Sequence, residues 1–317
     1  MDNLTHSLIG AMIGQTGLKK LSGLGMPTLI IAANIPDIDA ACFFWLEGQE
    51  HLGFRRGITH GPLAMLLLPL LLTAVMIGFD RWQTQRGKRP ETRLPVRPLQ
   101  LFLLALIGTL SHPAFDWLNN YGVRLLEPFS SQWFYGDSIF IIDLWMWIIL
   151  IGGWVWSWRA ENGGGNWMRR GTIVVTLIAA YVFTNGVITG QAESQALAQL
   201  RSRVPAGATM PDPLVVASPV PLAFWKREIL WRDEFAYGSG SYAVARGVKL
   251  DDEQRPHNAA DPRLAIVAAV NPDARAFLFW SRMPVARFEG DELVLTDQRF
   301  SDPMVGDRFT VSAKVEP

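Results

Sequence analysis

Cysteine is almost absent. Cys42 is the single one, so no intrachain disulfide forms and the composition carries no mark of the redox compartment. Charge is sparse as well. Asp, Glu, Lys and Arg make up 18% of the 317 residues and balance to a formal net charge of zero. That balance argues against a general nucleic-acid surface, which needs an excess of cations. Internal repeats and low-complexity tracts are missing. The opening Met1-Asp2-Asn3 lacks the basic start of a secretory signal, and no small-residue cleavage site comes after it, so an ordinary signal peptide is not expected.

The residues present in abundance are apolar, and they come in blocks. Hydrophobic residues are 49% of the chain, and their grouping, more than their average, indicates a membrane protein. Segments at about 24–46, 58–79, 98–118, 139–158 and 171–190 are each long enough to span, given the roughly 20 residues a bilayer core requires. A sixth, about 4–18, is short and polar and reads as a short span, a re-entrant helix or a buried helix. Lys and Arg orient the set. Loop 80–97 holds six, loop 159–170 three and the first loop Lys19 and Lys20, whereas loops 47–57 and 119–138 together hold only Arg55, Arg56 and Arg124. The basic loops are therefore expected in the cytoplasm.

Beyond residue 190 the pattern changes. Residues 193–204 read as a linker or helical continuation, and several prolines punctuate the stretch from 205 to 221. Runs rich in β-branched and aromatic residues at 228–237, 241–248, 264–270, 276–280, 292–296 and 309–315 predict strands. Gly238-Ser239-Gly240 and Asn271-Pro272-Asp273 predict turns. The expected fold is an α-helical polytopic membrane domain of about six segments (1–192), with a small, mostly-β extramembrane domain (205–317) after it on the periplasmic side.

Ionisable residues inside apolar segments are costly and point to function. Here they are His6, Asp37, Asp39, His60, His112 and Asp116. The topology places all six toward the outward ends of their segments, although orientation came from loop charge alone. His112 and Asp116 are four residues apart and share a helix face. Asp37 and Asp39 would diverge on a regular helix, and Pro36 offers a break that turns both inward. Imidazole with carboxylate suits zinc, and also manganese or iron, as one ion or two. Each element has a plainer reading: a helix–helix hydrogen bond for a lone histidine, a cap for Pro-Asp-x-Asp, an ion pair for His-x-x-x-Asp. The set of six on one side favours a metal or catalytic site. Arg55 and Arg56 are candidate phosphate ligands. Asp39 and Asp143 are candidate general bases.

These residues resemble a known family, the membrane-bound metal-dependent hydrolases of the YdjM type. The resemblance rests on Thr5-His6, Pro36-Asp37-Ile38-Asp39, Arg56-Gly57-Ile58-Thr59-His60 and the run from His112 through Asp116 to Leu126-Glu127-Pro128-Phe129. It covers about residues 1–190. It implies a bacterial inner-membrane protein with hydrolase chemistry, and a relation to zinc-dependent phospholipase C that makes a phospholipid or other lipid phosphoester a natural substrate. The leading expectation is metal-assisted hydrolysis of a lipid-linked substrate at the outer face. An ion- or proton-coupled transporter and a non-catalytic scaffold with a structural metal are the rivals.

Overall fold

The computed structural model describes residues 1–204, 211–301 and 306–314. The chain divides into two compact units, Met1–Asp39 with Arg56–Asn185, and Ala40–Arg55 with Gly186–Pro317. The boundary between Asn185 and Gly186 lies within one long helix, and the second unit also takes in residues 40–55.

The first unit is helical. Its elements are α1 (Asn3–Gln15), α2 (Gly25–Ala32), the start of a 3₁₀ segment (Ile35–Phe44), a short 3₁₀ turn (Ile58–His60), α4 (Pro62–Gln85), α5 (Pro98–Trp117), α6 (Leu144–Asn162) and the first part of α7 (Trp167–Arg203). Proline opens α4 and α5 at the first helical positions, where a missing N–H costs nothing. Among the described residues, α4, α5 and α7 are long and apolar enough to cross a membrane. A bent pair, α2 with Ile35–Phe44, adds a fourth if taken as one span, with a 49° bend at the break. Many large apolar side chains of α4, such as Leu66, Leu67, Leu70 and Leu71, are exposed, as lipid contact requires.

Six spans are therefore not supported. The 13 residues of α1 rise only about 20 Å, short of a bilayer core of roughly 30 Å. α6 falls short on composition: Trp145, Trp147, Trp154, Trp156 and Trp158, with Arg159 and Glu161, dilute its apolar run.

Close helix approach is built on glycine. A Cβ on Gly10 would stand 2.6 Å from the Leu29 carbonyl oxygen, and one on Gly108 would stand 2.6 Å from Ala32 Cβ. Small residues let helix backbones meet in this way, so α1 and α5 both press against α2.

The second unit is mostly β. Strands β1 (Leu214–Pro219), β2 (Lys226–Arg232), β3 (Ala236–Ala243) and β4 (Gly247–Pro256) form an antiparallel sheet in that order. β5 (Pro284–Glu289), β6 (Glu292–Asp297) and β7 (Thr310–Lys314) form a second. Ile188, Ala192, Ala196 and Leu200 form an i, i+4 stripe on α7 that packs on Ala217, Ile229, Trp231, Tyr242 and Leu250. Two expected strands are helices instead: α8 (Pro262–Val270) and α9 (Pro272–Trp280). Asp261 and Asn271 cap them, accepting from the Arg263 and Ala274 amides, and a proline comes directly after each cap. Asn271-Pro272 is thus a helix start as well as a corner. Gly238-Ser239-Gly240 is not a turn: it lies within β3 at a register shift, with the Trp231 ring filling the space beside Gly238. Val315, expected in the last strand, lies outside the described residues. A short helix, α3 (Glu50–Phe54), from the 40–55 segment packs on α9.

Candidate metal centre

The centre is assembled from α1, the 3₁₀ segment after α2, the turn before α4, and α5. His6 precedes Gly10 by one helical turn and His112 comes one turn after Gly108. Each histidine thus shares a face with the glycine that permits close approach. The outcome is that the His6 and His112 rings stack with centroids 3.8 Å apart, and His60 meets His112 edge-on at 5.0 Å.

Carboxylates complete the group. Asp116 lies 3.3 Å from His6 Nε2, 3.4 Å from His60 Nε2 and 3.5 Å from His112 Nε2. Asp37 Oδ1 lies 3.7 Å from His112 Nε2. Asp37, His60, His112 and Asp116 each offer one ligand atom, all within 4.8 Å of one another. His6 stands beside this quartet through its contacts with Asp116 and His112. Asp116 and the three histidines are fully or almost fully buried. Nε2 of His6, His60 and His112 has no hydrogen-bond partner. Buried polar atoms are normally satisfied, so the convergence of these nitrogens beside two carboxylates fits a cation with N and O donors.

The ring orientations agree with that reading. His112 Nδ1 donates to the Ala33 carbonyl at 2.7 Å, which leaves the Nε2 lone pair directed at the group. Thr59 Oγ1 donates to Asp39 Oδ2 at 3.1 Å and lies 3.0 Å from His60 Nδ1. The hydroxyl therefore accepts the Nδ1 proton, and His60 also presents a lone pair at Nε2. Metal-binding histidines are usually held from behind in this manner. A neutral ring with Nε2 unprotonated is the form a metal needs.

Two expected catalytic residues stand behind the ligands. Asp39 Oδ2 accepts from the Arg56 backbone N–H at 2.7 Å and lies 3.6 Å from His60 Nδ1. Asp39 thus braces His60 and is not part of the close quartet. Arg56 is 5% exposed. Its Nε forms an ion pair with Asp116 Oδ2 at 3.1 Å. Its guanidinium also donates to Asn119 Oδ1 and the Gly122 carbonyl and lies over the Tyr121 ring. These contacts commit the Arg56 guanidinium to the protein in this structure. Arg55 belongs to the second unit, its guanidinium 5.6 Å from the Phe43 ring centroid.

Asp143 is placed elsewhere. It caps α6, accepting from the Met146 N–H at 2.8 Å and from the Tyr181 hydroxyl at 3.0 Å. The Ala33 carbonyl and the two glycines escape a reading of the sequence for ionisable groups. For the glycines, the His6/Gly10 and Gly108/His112 spacings are the available signal. The Met1 amino nitrogen also lies against Asp116.

Apolar spanning helices around a buried His/Asp group define the class: an integral membrane protein with a possible metal-binding site. Its family model matches residues 1–192, and the chain belongs to the YdjM inner membrane protein family. No curated protein and no solved structure matches the chain.

Proposed function

We propose that this protein is a membrane-embedded, metal-dependent hydrolase acting on a lipid or lipid-linked phosphoester at the outer face of the inner membrane. The observation that carries the reading is the convergence of three unpartnered imidazole nitrogens and two carboxylates within apolar segments. His60, His112, Asp37 and Asp116 would hold the ion, with His6 beside them. A mixed N/O set of this kind suits zinc, with manganese or iron also compatible. When bound, such an ion polarises a phosphoryl oxygen and acidifies a water molecule.

The residues around it have separable tasks. Asp39 and Thr59 hold the His60 tautomer. Arg56 balances the buried charge of Asp116 and keeps that carboxylate in place. Asp37 is the less buried of the two quartet carboxylates, which makes it the one positioned to exchange a proton with an incoming water. A site built among spanning helices suits a substrate that arrives through the bilayer. The basic loop 80–97 between α4 and α5 favours the periplasmic side for the centre, which lies at the opposite ends of those two helices.

The test is elemental analysis of protein purified without chelator, beside His112→Ala and Asp37→Ala, then assays on mixed phospholipid vesicles. About one or two transition-metal ions per chain, lost in both variants, with metal-dependent release of a headgroup or phosphate, is expected. A wild-type protein devoid of metal rejects the reading. Metal without turnover on any phosphoester lipid rejects the hydrolase and leaves a scaffold.

A further inference from the structure

Residues 40–55 lie within the family-matched part of the chain yet pack with the C-terminal unit. Their two flanking residues are Asp39 and Arg56, the pair that braces the metal ligands. The 40–55 segment is thus an excursion that leaves the centre at one bracing residue and returns at the next. Its neck is closed by the Arg56 N–H donating to Asp39 Oδ2 at 2.7 Å. Arg56 holds a left-handed backbone, φ 53°, which a non-glycine residue keeps only when its surroundings over-determine it. The surroundings here are its N–H on Asp39, its carbonyl accepting from the Arg124 N–H at 2.9 Å, and its guanidinium on Asp116.

The far end of the excursion is gripped as firmly. Asp273, in the first turn of α9, accepts the Gln49 N–H at 2.6 Å. Gly48 adopts φ 50°, and a Cβ there would stand 2.5 and 2.6 Å from the two Asp273 carboxylate oxygens. No side chain fits between this turn and Asp273. α9 itself lies outside the family-matched residues, so the elements after residue 204 supply a clamp to a loop that the matched part contributes.

We infer that Asp273 is a positioning residue for the metal centre: by clamping Gly48–Gln49 it sets the loop whose neck, Asp39 with Arg56, orients His60 and Asp116. The C-terminal unit thereby acts on the centre through the chain itself, without supplying a ligand. The inference rests on the metal reading proposed for this chain.

The experiment uses the full chain in detergent, loaded with Co²⁺, whose visible spectrum reports its coordination. The readout is the rate of Co²⁺ release to EDTA for wild type, Asp273→Ala, Asp273→Asn and Gly48→Ala. Asp261→Ala is the control, because it removes a helix cap from the same unit without touching the loop. Asp273→Ala and Gly48→Ala should release the ion roughly tenfold faster, the lower end of what loss of a group behind a metal ligand does. Asp273→Asn should stay within about twofold of wild type, because its amide oxygen still accepts the Gln49 N–H. Wild-type release from Asp273→Ala and Gly48→Ala, or equal acceleration by Asp261→Ala, overturns the inference while the metal reading stands. Should Asp273→Ala not fold, Gly48→Ala read against Asp261→Ala decides. Wild type that takes up no Co²⁺ overturns the metal reading and this inference together.

Discussion

Asp116 carries the heaviest load of any single residue. A carboxylate with no solvent exposure among spanning helices must be compensated, and here the Arg56 guanidinium does so. Replacing Arg56 with alanine removes a permanent cation whose ion pair with Asp116 runs side chain to side chain. Breaking a buried pair costs about 3–5 kcal/mol, so Arg56→Ala should unfold markedly earlier in a detergent thermal melt. Added divalent ion should recover more of that loss than it adds to wild type, because the ion then supplies the missing positive charge. Equal metal-induced shifts in the two proteins would contradict this account. Arg56→Lys should behave closer to alanine than to wild type, since an ammonium does not reproduce a planar fork reaching Asp116, Asn119 and Gly122 together. The sequence marks Arg56 by its chemistry but not by its direction. A guanidinium in an Arg-Gly-Ile-Thr-His stretch faces a substrate or the protein interior according to the backbone angle at that residue, and motif spacing does not encode that angle.

Among the elements, α1, α2 and α5 form the frame, and glycine sets their separation. Gly108→Ala places a Cβ 2.6 Å from Ala32 Cβ and 2.9 Å from the Leu29 carbonyl oxygen. α5 must then move away from α2, and His112 moves with it, losing the Ala33 carbonyl that orients its ring. Overpacking of this sort costs about 1–3 kcal/mol, and metal content by elemental analysis should fall with stability. Gly152→Ala on α6 meets nothing within 4 Å and should retain full metal content. Loss of metal in both variants would mean that general helix damage, not the α2–α5 approach, explains the effect. The long apolar runs of α4, α5 and α7 were legible because length and hydropathy alone decide spanning. α8 and α9 were not. Leu264–Val270 and Ala276–Trp280 are apolar runs of a length that suits a strand or a buried helix, and the capping Asp261 and Asn271 decide in favour of helix.

On the scale of the whole molecule, each unit has its own core and its own buried ionic group. In the C-terminal unit Asp297 and Arg299 pair through two contacts, Nε–Oδ1 at 2.9 Å and Nη2–Oδ2 at 2.8 Å, with neither side chain exposed. Burial pushes the Asp297 carboxyl up, but the Arg299 guanidinium and the Ser281 hydroxyl outweigh it and hold the pKa below its ordinary value. A depressed carboxylate stabilises the fold above the pKa of the unfolded chain, about 3.9, and that contribution is lost as pH falls through the depressed folded value. Asp297→Asn should therefore destabilise this unit at pH 7 by about 3–5 kcal/mol, leaving Arg299 buried without its counter-charge. It should also flatten the unit's stability profile below about pH 4. Hydrogen exchange in β6 and β7 measures both. An acid limb as steep in Asp297→Asn as in wild type would assign the acid sensitivity to other groups.

The membrane character, the mostly-β C-terminal part and the short roster of histidines and aspartates were determined by the sequence itself. Each comes from a cost that holds wherever the residue sits: apolar blocks avoid water, and ionisable groups avoid apolar blocks unless something holds them. The tertiary structure alone decided who meets whom. His60, His112, Asp37 and Asp116 form the close group with His6 beside it, Asp39 and Arg56 brace it, and Asp143 is a helix cap. It also decided that residues 40–55 pack with the C-terminal unit, so that the chain leaves the centre at one bracing residue and returns at the other. These outcomes turn on side-chain direction and helix separation. A missing Cβ at Gly10 or Gly108, a bend after α2 and a positive φ at Arg56 set those quantities, and each takes its meaning only from the partner packed against it.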